Sequence, residues 1–404
     1  MLRTTTAIRS RSAQLLERAR SGESRWFIVC DDGLDAAADA VAAITRVRYP
    51  DLAIPYHSRW RHFEAGGLDR CAELGRLLAG CDARERARTM IDLVVVSVLM
   101  DAGAGARWSY REEWGSTSTA RAAARYGRSE GLAVASWHGF VTGSFSSDPD
   151  RPLQADAAAL AALTEDRLGR VLQVTKDNPI VGLGGRVQLM RRLGGALAAR
   201  PDLFGPGGRP GNVFDALTAS PGPVDARDIL AQLLTSLSPI WSTGNVIGSH
   251  RLGDCWRHNA VAGPGLTEGW LPLHKLSQWL TYSLIEPFEW AGVAVTGAAE
   301  LTGLAEYRNG GLLLDTGALG LRDRRFAART WAPADELVVE WRALTVALLD
   351  ELAPLVRARL GLDTSQLPLA RVLEGGSWAA GRDSARHLRD GLPPLDITSD
   401  GTVF

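Results

Sequence analysis

The sequence predicts a mainly α-helical globule with few short strands. Long stretches repeat apolar residues at three- and four-residue intervals, the spacing of one helical face. Strand-type patterning is confined to two short runs, which excludes a doubly wound parallel sheet. With 404 residues, 46% apolar and 23% charged, the chain can bury a sizeable core and is neither fibrous nor disordered.

In chain order, helical periodicity covers 5–20, 34–48, 67–80 and 82–102. Trp26 to Cys30 (WFIVC) and Leu312 to Leu314 are the strand candidates. Pro and Gly crowd the segment 201–223, which reads as an irregular crossing. Periodicity returns over 226–236, 273–285 and 335–360. The helix after Pro272 is expected to end near Glu286, because Pro287 has no N–H and blocks continuation. This pattern predicts one domain over 1–404, with room for two helical lobes, 1–200 and 225–404, joined by 201–224.

Forty-five basic residues against forty-six acidic ones leave a net charge of −1, too little cationic field to favour nucleic acid or an anionic membrane surface. The longest apolar run, Leu93 to Met100, is less than half a membrane span, and Asp92 and Asp101 bracket it. Four cysteines without a CxxC pair suit a reducing, cytoplasmic setting and argue against a disulfide scaffold or structural zinc. The Arg-rich start lacks a cleavage pattern, and Arg is abundant throughout. Only two lysines, Lys176 and Lys275, stand among those 45 cations, so each is a candidate for work a guanidinium does poorly.

Several motifs fail on a single residue. Gly103 and Gly105 would need a third glycine where Trp108 stands, so no dinucleotide fingerprint forms. GGSWA at 375–379 has Ala379 in place of the second glycine of a nucleophile elbow. His57 and His62 are five apart rather than four, and Ser58 follows the first, so the zinc-protease frame is absent.

Four constellations remain. In IPYHSRWRHFEAGG, His57, Arg59, Arg61 and His62 stand with Trp60 between a proline and a glycine pair, suited to gripping an anionic, partly planar ligand, although a solvated turn fits the same residues. The helix LPLHKLSQWLTYSLIEP sets Leu273, Leu276, Leu280 and Leu284 on one stripe, with Lys275, Gln278 or Trp279, and Tyr282 on its neighbour. In LTGLAEYRNGGLLLDTGAL, the charges of Glu306, Arg308 and Asp315, beside Tyr307, sit among glycines and leucines, a costly placement unless paired or used. GGSWAAGR and the apolar tail LDITSDGTVF bring Trp378, Arg382 and Asp400.

These phrases, together with LRTTTAIR and SEGLAVASWHGF, resemble over nearly the whole chain the fourth-component family of uracil catabolism. HKLSQWLTYSLIEP and AEYRNGGLLLDTGAL are also similar to the lysine-bearing helix and the acid-Tyr-Arg segment of queuosine 5′-phosphate N-glycosylases. Those are all-helical enzymes with a DNA-glycosylase-like fold; where they carry Asp, this chain has Glu306, and Lys275 matches directly. The resemblance implies a hydrolase, an N-glycosidase acting on a phosphoribosylated, ring-opened uracil derivative of the ribosylurea 5′-phosphate type and releasing urea or a ureide.

Breaking a C1′–N bond builds positive charge on the sugar, a role for the carboxylate of Glu306 as catalytic residue with Lys275. Urea nitrogen leaves poorly as an anion, and His57, His62 or Tyr282 are candidate proton donors. Lys275 and Arg308, helped by Arg59 or Arg61, would hold the phosphate, with Tyr307 beside them. Asp315 or Asp400 would bond ribose hydroxyls. No metal or organic cofactor enters this scheme, the partner is a small phosphorylated molecule, and self-association is open. Two alternatives stay in view: an amide or ureide hydrolase acting on the opened ring, and a non-catalytic nucleotide-binding protein of the pathway.

Overall fold

A computed structural model describes residues 1–114, 122–241 and 243–398. The fold is mainly helical, and its strands are short and paired two by two. The helices used below are, in chain order, α1 (Thr5–Arg20), α2 (Asp31–Arg48), α3 (Arg59–Phe63), α4 (Ala83–Leu99), α5 (Arg128–Val141), α6 (Ala226–Ser236), α7 (Lys275–Trp290), α8 (Tyr307–Asp315), α9 (Glu336–Leu360), α10 (Leu369–Val372) and α11 (Trp378–Arg389). Local chemistry sets several starts: Thr4, Asp82 and Asp225 each accept a backbone N–H from the first turn that follows.

Two compact units interleave along the chain. Of the described residues, the first comprises 1–57, 245–278 and 297–398, and the second 58–114, 122–241, 243–244 and 279–296. The Pro/Gly-rich segment 201–224 lies wholly inside the second unit, and the first turn of α7 counts with the first.

In the first unit, α9 is buried over most of its length and packs against α1, α2 and α8. The strand Phe27–Val29 pairs antiparallel with Leu319–Leu321. Helices α8 and α11 approach so closely that a Cβ on Gly381 would lie 2.1 Å from the Arg308 carbonyl, which only glycine allows. The organising contact is an ion pair. Asp254, 3% exposed, receives both terminal nitrogens of Arg342 at 2.7 and 2.8 Å, and Arg342 is itself buried. Burial alone would raise the Asp254 carboxyl, but the Arg342 charge and its hydrogen bonds, with those from Trp256 and the Lys275 amide, hold it at about 2. The same carboxylate accepts the Lys275 amide at 2.8 Å, while Arg342 Nε donates to the Ala305 carbonyl at 3.1 Å. Two chain segments some thirty positions apart are thereby tied to one pair.

The second unit is built on α4, whose Asp92 is fully buried, accepts from Arg209 and the Gly211 amide, and is pushed up to about 6 by burial. Helix α3 packs on α5. The strands Ser109–Trp114 and Ala122–Gly127 form an antiparallel ladder. Among the described residues, no helix is long and apolar enough to cross a membrane.

Two expectations are corrected. Leu312 to Leu314 is not a strand but the second half of α8, since a short apolar run does not distinguish a buried helix from a strand and the Glu306 cap decides it. Helix α7 does not stop at Glu286 but continues through Pro287 to Trp290. The Ser283 carbonyl, which Pro287 cannot bond, instead accepts the Trp60 indole N–H at 2.9 Å, so the missing helical bond is replaced.

If Asp254–Arg342 organises the first unit, Arg342→Met strands a buried anion and lowers stability by about 3–5 kcal/mol. The double variant Asp254→Leu/Arg342→Met should lose less than Arg342→Met alone. Urea unfolding of the three proteins checks this, and simple additivity of the single losses would contradict it.

Candidate functional site

The first unit gathers its unusual chemistry around Trp378, the first residue of α11. A single π-type turn, Leu373–Ser377, precedes it, the kind of local widening that often re-aims side chains at functional positions. Its glycines serve packing: a Cβ on Gly376 would meet the Val41 carbonyl of α2 at 2.4 Å. Ser377 donates to the Asn309 side chain at 2.9 Å, a bond between the turn and α8.

The turn carries Glu374, buried at 5% exposure. Glu374 accepts from Arg48 at 2.7 Å and Tyr49 at 3.0 Å, both at the end of α2, and bonds His57 Nδ1 at 2.8 Å. Burial would raise this carboxyl, yet the His57 hydrogen bond, with the His57 and Arg48 charges, holds it at about 2. An ionised Glu374 orients Nδ1–H of His57 toward itself and fixes the tautomer. The backbone amide of His57 donates to the Ala370 carbonyl of α10 at 2.9 Å, so ring and main chain are both anchored. Its ring centroid lies 6.2 Å from that of Trp378.

On Trp378 lie two guanidinium groups, Arg308 at 4.8 Å and Arg382 at 5.5 Å from the ring centroid. Arg308 is only 5% exposed and also lies 5.1 Å from the Tyr307 ring. Among the described residues its guanidinium meets aromatic faces but no carboxylate and no hydrogen-bond acceptor. A buried cation without an anion is costly, and an anionic ligand relieves that cost. Immediately before it, the half-buried Glu306 caps α8: its two oxygens accept the Asn309 and Arg308 amides at 2.6 and 2.9 Å. The carboxylate is therefore rigid, and its charge is balanced at a helix N-terminus.

The structure thus brings His57, Tyr307, Arg308 and the Glu306 cap into one neighbourhood. It also ties the Lys275 backbone and Ala305, next to Glu306, to the Asp254–Arg342 pair. Asp315 lies at the far end of α8, where Ser384 and Arg389 both donate to it at 2.7 Å, a lock between α8 and α11. Asp400 lies outside the described residues.

The remaining expected residues belong to the second unit. Arg59 is fully buried, with Nε on Ser97 at 2.7 Å, Nη1 on the Ser129 carbonyl at 3.1 Å and an ion pair to Asp101 at 3.4 Å. Its guanidinium stacks 5.5 Å over Trp279, and burial lowers its pKa. These bonds tie Arg59 to α4 and α5. Arg61 pairs with Glu286 at 2.8 Å and Glu64 at 3.1 Å. Glu286 also accepts from Ser58, and its carboxyl is pushed up to about 6 by burial against the pull of Arg61. His62 meets Trp279 edge-on at 5.6 Å, and Tyr282 is fully buried in α7.

Sequence reasoning missed Glu374, Arg48 and Tyr49 as partners of His57. A signal was present: Glu374 is a lone charge between apolar residues and a glycine pair in RVLEGGSW, the same cue that singled out Glu306.

A family model described as "Protein of unknown function (DUF1688)" matches residues 1–404. "Protein urg3" of Schizosaccharomyces pombe is 39% identical, over 98% of this chain and 96% of that protein. "Uracil catabolism protein 4" of Lachancea kluyveri is 38% identical, over 93% of this chain and 90% of the relative. The chain belongs to the DUF1688 family.

The Glu374 carboxyl gives a test with a defined sign. Because its folded pKa of about 2 lies below its ordinary 4.5, it contributes stability that is complete above about pH 4.5 and lost as the pH falls toward 2, amounting to about 3 kcal/mol. Urea unfolding of wild type and Glu374→Gln should therefore show a stability gap that narrows as the pH is lowered from 5 to 2.5. A gap independent of pH would contradict the assignment.

Proposed function

We propose that this DUF1688 protein is an enzyme of uracil catabolism that hydrolyses the N-glycosidic bond of a phosphoribosylated, ring-opened uracil derivative, releasing urea or a ureide. The pathway assignment is supported by full-length similarity to a relative named for uracil catabolism. The bond class is supported by one observation: a rigid carboxylate, Glu306, stands two residues before a buried guanidinium, Arg308, that among the described residues lies on aromatic rings and bonds no carboxylate.

A phosphoribosyl substrate needs both groups. Arg308 grips phosphate oxygens by charge-assisted bonds, with Tyr307 and Trp378 holding the fork in plane. The binding energy of that remote group positions the reacting carbon. Glu306, fixed by its two backbone bonds, faces C1′ and offsets the positive charge that develops there as the nitrogen departs. Because its oxygens already accept two N–H groups, it acts by charge rather than by taking a proton. Lys275, whose amide is anchored on Asp254, supplies a second cation for the phosphate.

Incubation of the protein with synthetic ribosylurea 5′-phosphate, followed by mass analysis, tests the reading. The expected products are ribose 5-phosphate and urea. Glu306→Gln should lower kcat on the order of 10³-fold, and Arg308→Met should raise KM by about 10- to 100-fold. Release of ammonia with the glycosidic bond intact would establish an amide hydrolase instead, and binding without turnover would establish a carrier or sensor.

A further inference from the structure

We infer that His57 is the general acid that protonates the departing nitrogen, and that Glu374 is the positioning residue that aims it; this rests on the glycosidase reading above. Glu374 takes Nδ1 of His57 at 2.8 Å, so the ring exchanges protons with a ligand through Nε2. Arg48 and Tyr49 hold Glu374 from the other side at 2.7 and 3.0 Å, and the π-type turn sets its direction. The histidine ring lies 6.2 Å from Trp378, whose face also carries Arg308 at 4.8 Å. A phosphate on Arg308 and a proton donor at His57 therefore flank the same indole.

Other expected donors are placed less well. Tyr282 is fully buried in the second unit, and His62 lies edge-on against Trp279 there. Among the described residues of the first unit, the charged and titratable groups around His57 include Glu374, with Arg48 and Tyr49 upon it, Arg308 and Arg382 on Trp378, Glu306 at the head of α8, and the Arg371–Tyr56 pair, 5.0 Å apart, beside its main-chain anchor.

The step balances without a co-reactant. The C1′–N bond breaks with its electron pair going to nitrogen, and Nε2–H of His57 supplies the proton that completes the N–H of urea. Water then adds to C1′ and returns one proton to Nε2. The net change is hydrolysis, with His57 restored.

Two substrates that differ only in leaving group provide the test. Ribosylurea 5′-phosphate needs protonation at nitrogen, whereas p-nitrophenyl ribofuranoside 5-phosphate leaves readily as an anion. In His57→Gln the ureido rate should fall about 10²- to 10⁴-fold while the nitrophenyl rate stays within about tenfold. Glu374→Gln should show a smaller loss in the same direction, again confined to the ureido substrate. The ratio of the two rates is independent of the fraction folded. Should either variant fail to fold, the wild-type ratio still decides: it should fall as the pH rises past the alkaline limb of kcat. Equal losses on both substrates, with a pH-independent ratio in wild type, would overturn the role of His57 and leave the glycosidase reading intact. Cleavage of neither substrate by the wild type would overturn both.

Discussion

A buried carboxylate–guanidinium pair, Asp254 with Arg342, is the constraint on which the first unit depends. Each partner alone would be a costly buried charge; together, with bonds from Trp256 and the Lys275 amide on one side and to Ala305 on the other, every strong group is matched. The pair also fixes sequence-distant segments in one place. Helix α7 begins where Asp254 receives its first amide, and the turn into α8 is held by the Arg342 Nε bond. The residue just before α7, His274, adopts a left-handed backbone with φ of 47° and bonds the Leu2 carbonyl, so the start of the chain joins the same anchor.

From that frame follows the neighbourhood of Trp378. Close glycine contacts bring α11 against α8 and the π-type turn against α2, leaving side chains rather than backbone to fill the remaining space. What fills it is polar and strongly directional: a carboxylate held low by His57 and Arg48, a histidine held by that carboxylate, and a guanidinium flanked by rings. Stability alone favours apolar residues at such positions. The retained charges, and the absence of an anion for Arg308 among the described residues, are the structural reason for placing chemistry there.

Much of the fold was legible in the sequence because helices announce themselves by period and caps. The boundaries of α1 and α6 coincide with the apolar periodicity, and Thr4 and Asp225 mark their starts. Where the reading failed, the apolar run by itself was ambiguous or the deciding contact was distant: the nearby Glu306 cap settles Leu312 as helical, whereas nothing local to Pro287 reveals that a Trp60 indole would replace its missing bond. The site divides the same way. Arg308 and Glu306 stood out as charges among glycines and leucines, and His57 as part of a crowded polar phrase. The pairing of His57 with Glu374 spans 317 positions and is invisible to local pattern. For Arg59 the sequence shows a cation but not the serine, carbonyl and aspartate that bond it from elsewhere in the chain.

The most direct measurement of the central claim is a crystal structure of the full chain soaked with ribose 5-phosphate and urea. The account predicts phosphate oxygens on the Arg308 guanidinium, C1′ facing the Glu306 carboxylate, and a urea nitrogen within hydrogen-bond reach of His57 Nε2. Sugar phosphate bound away from Arg308, or Arg308 closed onto a protein carboxylate in the soaked crystal, would contradict it.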